Sequence, residues 1–142
     1  MFTLYKIYYG DDLVYLGRTR QPVNTRLRGH FFKKKFHKVL DIFSVTKIET
    51  AETESCADMY LYEIYYINKL HPSLNLNDAA ADCLTVSLPE LTFTEYHCHL
   101  FDKWKGEYLL KQAEYEEKKR LRREKMAEKR REKALSTKQR QP

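Results

Sequence analysis

Residues 3–17 constrain the fold more than any other stretch of this 142-residue chain. Two segments, 3–9 and 12–17, are rich in Tyr, Ile, Leu and Val and flank the dipeptide Gly10-Asp11. Two such runs joined by two residues, one of them a Gly suited to positive φ, form a β-hairpin. Pairing Tyr9 with Asp12 sets Tyr8 opposite Leu13 and Lys6 opposite Tyr15. Side chains alternate along a strand, so Lys6, Tyr8, Leu13 and Tyr15 are expected on one face and Tyr5, Ile7, Tyr9, Val14 and Leu16 on the other. Tyr8 and Tyr15 are then diagonal cross-strand neighbours.

A helix is expected next, because Pro22 suits a first helical position and residues 23–30 carry no further proline. At about 100° per residue, Arg26, His30 and His37 fall within one arc if that helix persists through Lys33-Lys34-Lys35. A third strand is expected over 41–48, with Ile42, Val45 and Ile48 among its apolar members. A second helix over 52–70, opening near Thr50 or Thr53, has a stripe of Cys56, Met59, Tyr60, Ile67 and Leu70, with Glu54, Asp58, Asn68 and Lys69 opposite. Glu63 lies inside that stripe. An ionised carboxylate there is costly unless it meets a cation or a metal, so its position argues for a ligand.

These residues resemble the GIY-YIG nuclease family. Lys6-Ile7-Tyr8 stands at the first signature and Tyr15-Leu16-Gly17 at the second. Arg26 and His30 match the Arg-x-x-x-His of the following helix, Glu63 the metal-binding Glu, and Pro72-Ser73-Leu74-Asn75 the closing Pro-x-Leu-Asn. The resemblance covers residues 3–77, and Lys6 departs from it by standing where the family name has Gly. It implies an α/β chain of the α+β kind: a small three-stranded antiparallel sheet flanked by helices, followed here by a long C-terminal helix. It also implies a DNA endonuclease with Tyr8, Tyr15, Arg26, His30, Glu63 and Asn75 in the site. Glu63 would hold one hard divalent cation, Mg2+ or Mn2+, with water and substrate at the other positions. Arg26 would offset charge growing on the phosphoryl oxygens, and Asn75 would position the Glu63 helix or the substrate. A free phenol has a pKa near 10, so a tyrosine base needs nearby positive charge or a relay through His30 or a second phenol. Which tyrosine takes the proton stays open at this stage.

Charge is unevenly distributed. Residues 1–102 carry 11 Lys or Arg against 13 Asp or Glu, whereas 103–142 carry 15 against 7, so the formal net charge of +6 originates in the tail. That pattern suits a nearly neutral core with a nucleic-acid-facing arm. DNA contacts are accordingly expected at Lys6, Arg18, Arg20, Lys33, Lys34, Lys35, His37, Arg122, Arg123 and Arg130. The expected organisation is a nuclease domain over 1–88, a basic helical extension over 89–135 and a disordered tail over 136–142. Within it, residues 84–88 are either a small strand or a packed connector, and Thr92 and Glu95 form a capping box opening the long helix. Beyond Tyr115 the chain is almost entirely Glu, Lys, Arg and Ala; a solvated single helix, a DNA-contacting arm and a coiled-coil partner are the three readings. The last of these includes a homodimer or a protein partner docked through the helix.

Cys56, Cys83 and Cys98 form no disulfide framework, which suits a reducing compartment. Cys98 between His97 and His99 lacks a second ligand pair at zinc-finger spacing. There is neither an apolar run of membrane-spanning length nor a signal-peptide pattern. An intracellular protein, cytoplasmic or nucleoid-associated and not in a membrane, is therefore expected. The main alternative to the enzyme is a DNA-binding module that keeps the fold and cleaves poorly.

Overall fold

A computed structural model describes residues 2–32 and 40–140. Its elements are strands β1 (Phe2–Tyr9) and β2 (Asp12–Thr19), helix α1 (Val23–Phe32), strand β3 (Val45–Thr53), helix α2 (Cys56–Leu70), a 3-10 turn (Ser73–Asp78), strand β4 (Thr94–Glu95) and helix α3 (Phe101–Gln139). The chain divides into two compact units, Met1–Asp102 and Lys103–Pro142. The class is α+β, and the sheet is antiparallel with order β2-β1-β3-β4. It has four strands, one more than the sequence suggests. Thr94 and Glu95 belong to this added strand and pair with Thr50 and Glu49, so Thr92 and Glu95 do not cap the long helix, which opens at Phe101.

The hairpin forms as its turn chemistry dictates. Tyr9 pairs with Asp12, and Gly10 supplies the positive φ of 61° at the first loop position. The register then departs from simple alternation. Tyr8 pairs with Leu13 but Ile7 pairs with Tyr15, so Val14 is an extra residue on β2. A one-residue bulge moves every later side chain to the opposite face. Tyr15 and Gly17 therefore join the face of Tyr5 and Ile7, while Leu16 and Arg18 join that of Leu4 and Lys6. This corrects the expected sharing of one face by Tyr8 and Tyr15.

Both faces of the hairpin are covered. Tyr5 meets Arg26 and His30 of α1, while Leu4 and Leu16 on the other side pack with Met59, Tyr65, Tyr66 and Ile67 of α2. Helix α2 begins at Cys56, four residues later than expected, because Thr50 and Thr53 are still in β3. Ser55 caps it, its Oγ accepting from the Asp58 amide at 3.0 Å. His71, at φ 48°, ends it in the left-handed conformation before Pro72. Tyr60 and Leu70, expected in the buried stripe, are 41% and 40% exposed. Tyr65 and Tyr66 are buried in their place because the connector returns over α2: the Leu91 amide donates to Tyr66 Oη at 2.8 Å, and Tyr62 Oη donates to the Pro89 carbonyl at 2.7 Å.

This packing moves the expected boundaries. Leu88, Leu91 and Phe93 lie against the α2 core, so residues 89–100 belong to the first unit and not to the helical extension. Residues 41–44 form a turn, with Asp41 accepting from Ser44 Oγ at 2.6 Å. At the other end, α3 continues to Gln139, through part of the segment expected to be disordered; Ser136 and Thr137 hydroxyls bond back to the Lys133 carbonyl.

At Leu16 the outer edge of β2 is held by a side chain. Asn75 in the 3-10 turn accepts from the Leu16 amide at 2.8 Å and donates to the Leu16 carbonyl at 3.0 Å. Asn75 is buried, so water cannot readily replace it. Asn75→Ala is expected to destabilise the chain by about 2–4 kcal/mol, since both Leu16 backbone groups lose their partner. Urea unfolding of the two proteins measures the difference.

Candidate active site

Tyr5 is at the centre of the site. Its ring is fully buried between β2 and α1, and its hydroxyl lies 2.6 Å from His30 Nε2 and 3.2 Å from Arg26 Nε. A guanidinium only donates, so Arg26 takes an oxygen lone pair. The imidazole tautomer sets which of the Tyr5 hydroxyl and His30 Nε2 donates in the second bond, and His30 Nδ1 is buried without a hydrogen-bond partner among the described residues. The i, i+4 spacing of Arg26 and His30 on α1 lets one helix face provide both contacts.

Tyr15 completes the aromatic cluster. Its ring lies 4.8 Å from His30, edge-on at 67°, and 6.0 Å from Tyr5. Burial raises the Tyr5 phenol well above its ordinary pKa, with the neighbouring Tyr15 adding to the effect and Arg26 opposing it. The Tyr15 phenol is also raised by burial, again against Arg26. Both hydroxyls are therefore protonated near neutral pH, and either can take up a proton only while releasing its own.

Gly17 makes this arrangement sterically possible. A Cβ there would lie 2.6 Å from Tyr5 Oη, 2.7 Å from Tyr5 Cζ and 2.8 Å from Tyr15 Cε1. These ring atoms are fixed by α1 and cannot swing aside.

Glu63 enters from α2 on the β2 side. Its side chain is 23% exposed, and Oε2 accepts from Arg18 Nε at 2.5 Å. Arg18 in turn stacks its guanidinium 3.9 Å over the Tyr60 ring. Burial raises the Glu63 carboxyl despite the opposing pull of Arg18; Asp78 also raises it, and Arg26 lowers it slightly. The same carboxylate acts on Tyr15. Glu63 is thus electrostatically linked to Tyr15 and Arg26.

Glu63 is the carboxylate here whose hard oxygen chemistry suits a divalent cation, and it is already paired with Arg18. Glu63 offers carboxylate oxygen, and among the described residues its hydrogen bonding is confined to Arg18 at Oε2. No group of three His, Cys, Asp or Glu suited to a metal occurs among the described residues. An ion on Glu63 would therefore keep most of its water shell, which Mg2+ tolerates well.

Several expected site residues lie elsewhere. Tyr8 is on the opposite sheet face, where its hydroxyl donates to Glu49 Oε2 at 2.9 Å and Lys47 sits 4.3 Å over its ring. Burial and the Glu49 bond push its phenol up to about 12. Lys6 is on that same face, 3.7 Å over the Phe93 ring and 5.2 Å over Tyr66, which leaves it half-buried instead of phosphate-facing. Asn75 is occupied with the β2 backbone. Exposed Arg20 donates to Cys56 Sγ at 2.6 Å, and Arg18 serves Glu63. Arg122, Arg123 and Arg130 are exposed on α3. Lys33, Lys34, Lys35 and His37 lie outside the described residues.

Tyr5 was missed by the sequence reading, which assigned it to the other face through an unbulged register. Its signal was the three-residue run Val14-Tyr15-Leu16, which is buried throughout and breaks the two-residue period. No protein-family model, curated protein or solved structure matches the chain.

Gly17→Ala is expected to lower stability by about 1–3 kcal/mol through overpacking against the two phenols. Gly106→Ala in α3, where a Cβ meets nothing within 4 Å, should stabilise its helix by up to about 1 kcal/mol. Paired denaturation curves distinguish the two.

Proposed function

We propose that this chain is a GIY-YIG-type endonuclease that hydrolyses phosphodiester bonds in DNA with one divalent cation, Mg2+ or Mn2+, held by Glu63. The observation that carries the proposal is the Tyr5 hydroxyl bonded between Arg26 Nε and His30 Nε2, with Tyr15 against the same imidazole. On this reading the first signature is Thr3-Leu4-Tyr5, and Tyr5 takes the role expected of Tyr8.

The chemistry follows from the proton inventory. A phenol raised by burial is a poor base when it must become a phenolate. Tyr5 would avoid that state by a relay, its oxygen taking the proton of the attacking water as its own passes to His30 Nε2 in the tautomer protonated on Nδ1. Because Tyr5 is fully buried, this step requires the substrate to admit water to the hydroxyl. The phenol remains neutral overall, and the imidazole gains the charge. Arg26 keeps Tyr5 in place and supplies fixed positive charge against the phosphoryl oxygens, whose charge increases in the transition state. Tyr15 walls the imidazole and holds it at the angle Tyr5 requires. Glu63, its Oε2 fixed by Arg18, would hold the cation, which would supply Lewis-acid polarisation of the phosphate and charge stabilisation for the leaving oxygen.

Conversion of supercoiled plasmid to nicked circles, with Mg2+ and with chelator, tests this proposal. The native chain is expected to nick only with the metal. Tyr5→Phe should lower the rate at least about 100-fold, the usual scale for loss of a positioned acid-base group, and Glu63→Gln should abolish it. Tyr8→Phe should nick at close to the native rate. A defect in Tyr8→Phe with native rates in Tyr5→Phe would reverse the assignment.

A further inference from the structure

Helix α3 separates its charges by face. It runs for 39 residues, and every side chain from 108 to 140 is exposed, so packing does not dictate where its charges lie. At about 100° per residue, nine of the twelve Lys and Arg between 114 and 140 fall within an arc of roughly 160°. All six Glu of that segment fall outside it. Lys118, Arg122, Lys129 and Lys133 form one row, and Arg123 and Arg130 form the next.

The other arc carries all six Glu against Arg120, Arg131 and Lys138. Arg120 lies there and bonds Glu117 at 2.6 Å and Glu124 at 3.3 Å. Among the described residues, no ion pair involves the six cations of the basic rows. One side of this exposed helix is therefore net negative, and the other carries nine cations with no Glu among them.

We infer that this basic face is a binding surface for the phosphate backbone of duplex DNA. The charge complementarity is with a polyanion, and the face runs along one unbroken helix. From Lys118 to Arg140 the face extends about 33 Å, close to one turn of a duplex. Single-strand binders pair a basic groove with aromatic platforms for the bases, and the sequence from 118 to 140 has no aromatic residue. A membrane-surface helix needs an apolar face bordered by its cations. Here Leu121 and Leu135 lie on the glutamate side, so insertion would bury carboxylates. The choice of DNA over RNA rests on the endonuclease reading; the polyanion surface does not.

The test compares two triple variants of equal net charge on the full chain. Arg122, Lys129 and Arg130 are changed to Gln in one, and Arg120, Arg131 and Lys138 in the other. Binding to a short labelled duplex is measured in chelator across a salt series, with helix content checked by circular dichroism. The first variant should reduce the slope of log affinity against log salt by about 3, close to 0.9 per lost phosphate contact. The second should leave it near the native value, and a Lys substitution at both arginines of the first set should retain it. Equal losses in the two variants would show diffuse attraction and overturn the assignment. So would native slope in the first, or preferential binding to a single strand or to vesicles rich in phosphatidylglycerol. Preference for duplex RNA would overturn the choice of DNA. Because chelator prevents metal-dependent cleavage, a duplex-binding chain that nicks no plasmid refutes the endonuclease alone.

Discussion

The contact on which the site depends is the hydroxyl of Tyr5 held between a guanidinium and an imidazole, 3.2 Å from one and 2.6 Å from the other. It exists because three local features agree. The extra residue Val14 brings Tyr15 to the face of Tyr5, Gly17 leaves space for both rings, and α1 presents Arg26 and His30 one turn apart. A buried phenol without partners would be costly; of the two partners that satisfy it here, Arg26 only donates and His30 alone has a nitrogen able to take its proton.

The opposite face shows what a tyrosine looks like without that environment. Tyr8 has an acceptor in Glu49 and a cation over its ring, so its proton is held, with no acceptor chain leading onward. Lys6 packs on Phe93. Of two phenols three residues apart in the same strand, one meets an imidazole and the other a carboxylate, solely through the alternation of side chains across the sheet.

Much of this was legible in the sequence. The hairpin at Gly10-Asp11, α1 after Pro22, α2 ending at Leu70 and the long charged helix all follow from local rules. Arg26 and His30, one turn apart as their spacing suggested, both reach Tyr5, with Tyr15 against the same imidazole. The face of the first tyrosine was not legible, because both sides of β1 and β2 are covered by helices. Apolar residues then occur on either side of the strand, and periodicity no longer marks the register. The fourth strand was also hidden: two residues of β4 give no periodic signal, and they pair only because the connector folds back over α2. The cap at Ser55 escaped notice since Thr50 and Thr53 offered the same chemistry earlier in the chain.

Helix α3 adds a second level of organisation that composition alone conceals. Its net charge is obvious from the sequence, yet the separation of faces appears only when the helix is known to run unbroken to Gln139. The central claim concerns the site itself, that Glu63 holds a cation beside the Tyr5 cluster. Paramagnetic broadening of backbone NMR signals by Mn2+ tests it most directly. The account predicts broadening at the amides of Tyr15, Gly17 and Glu63, little at Glu49 and Tyr8, and none of it after Glu63→Gln. Broadening centred on Glu49 and Glu95, or a pattern indifferent to that substitution, would contradict it.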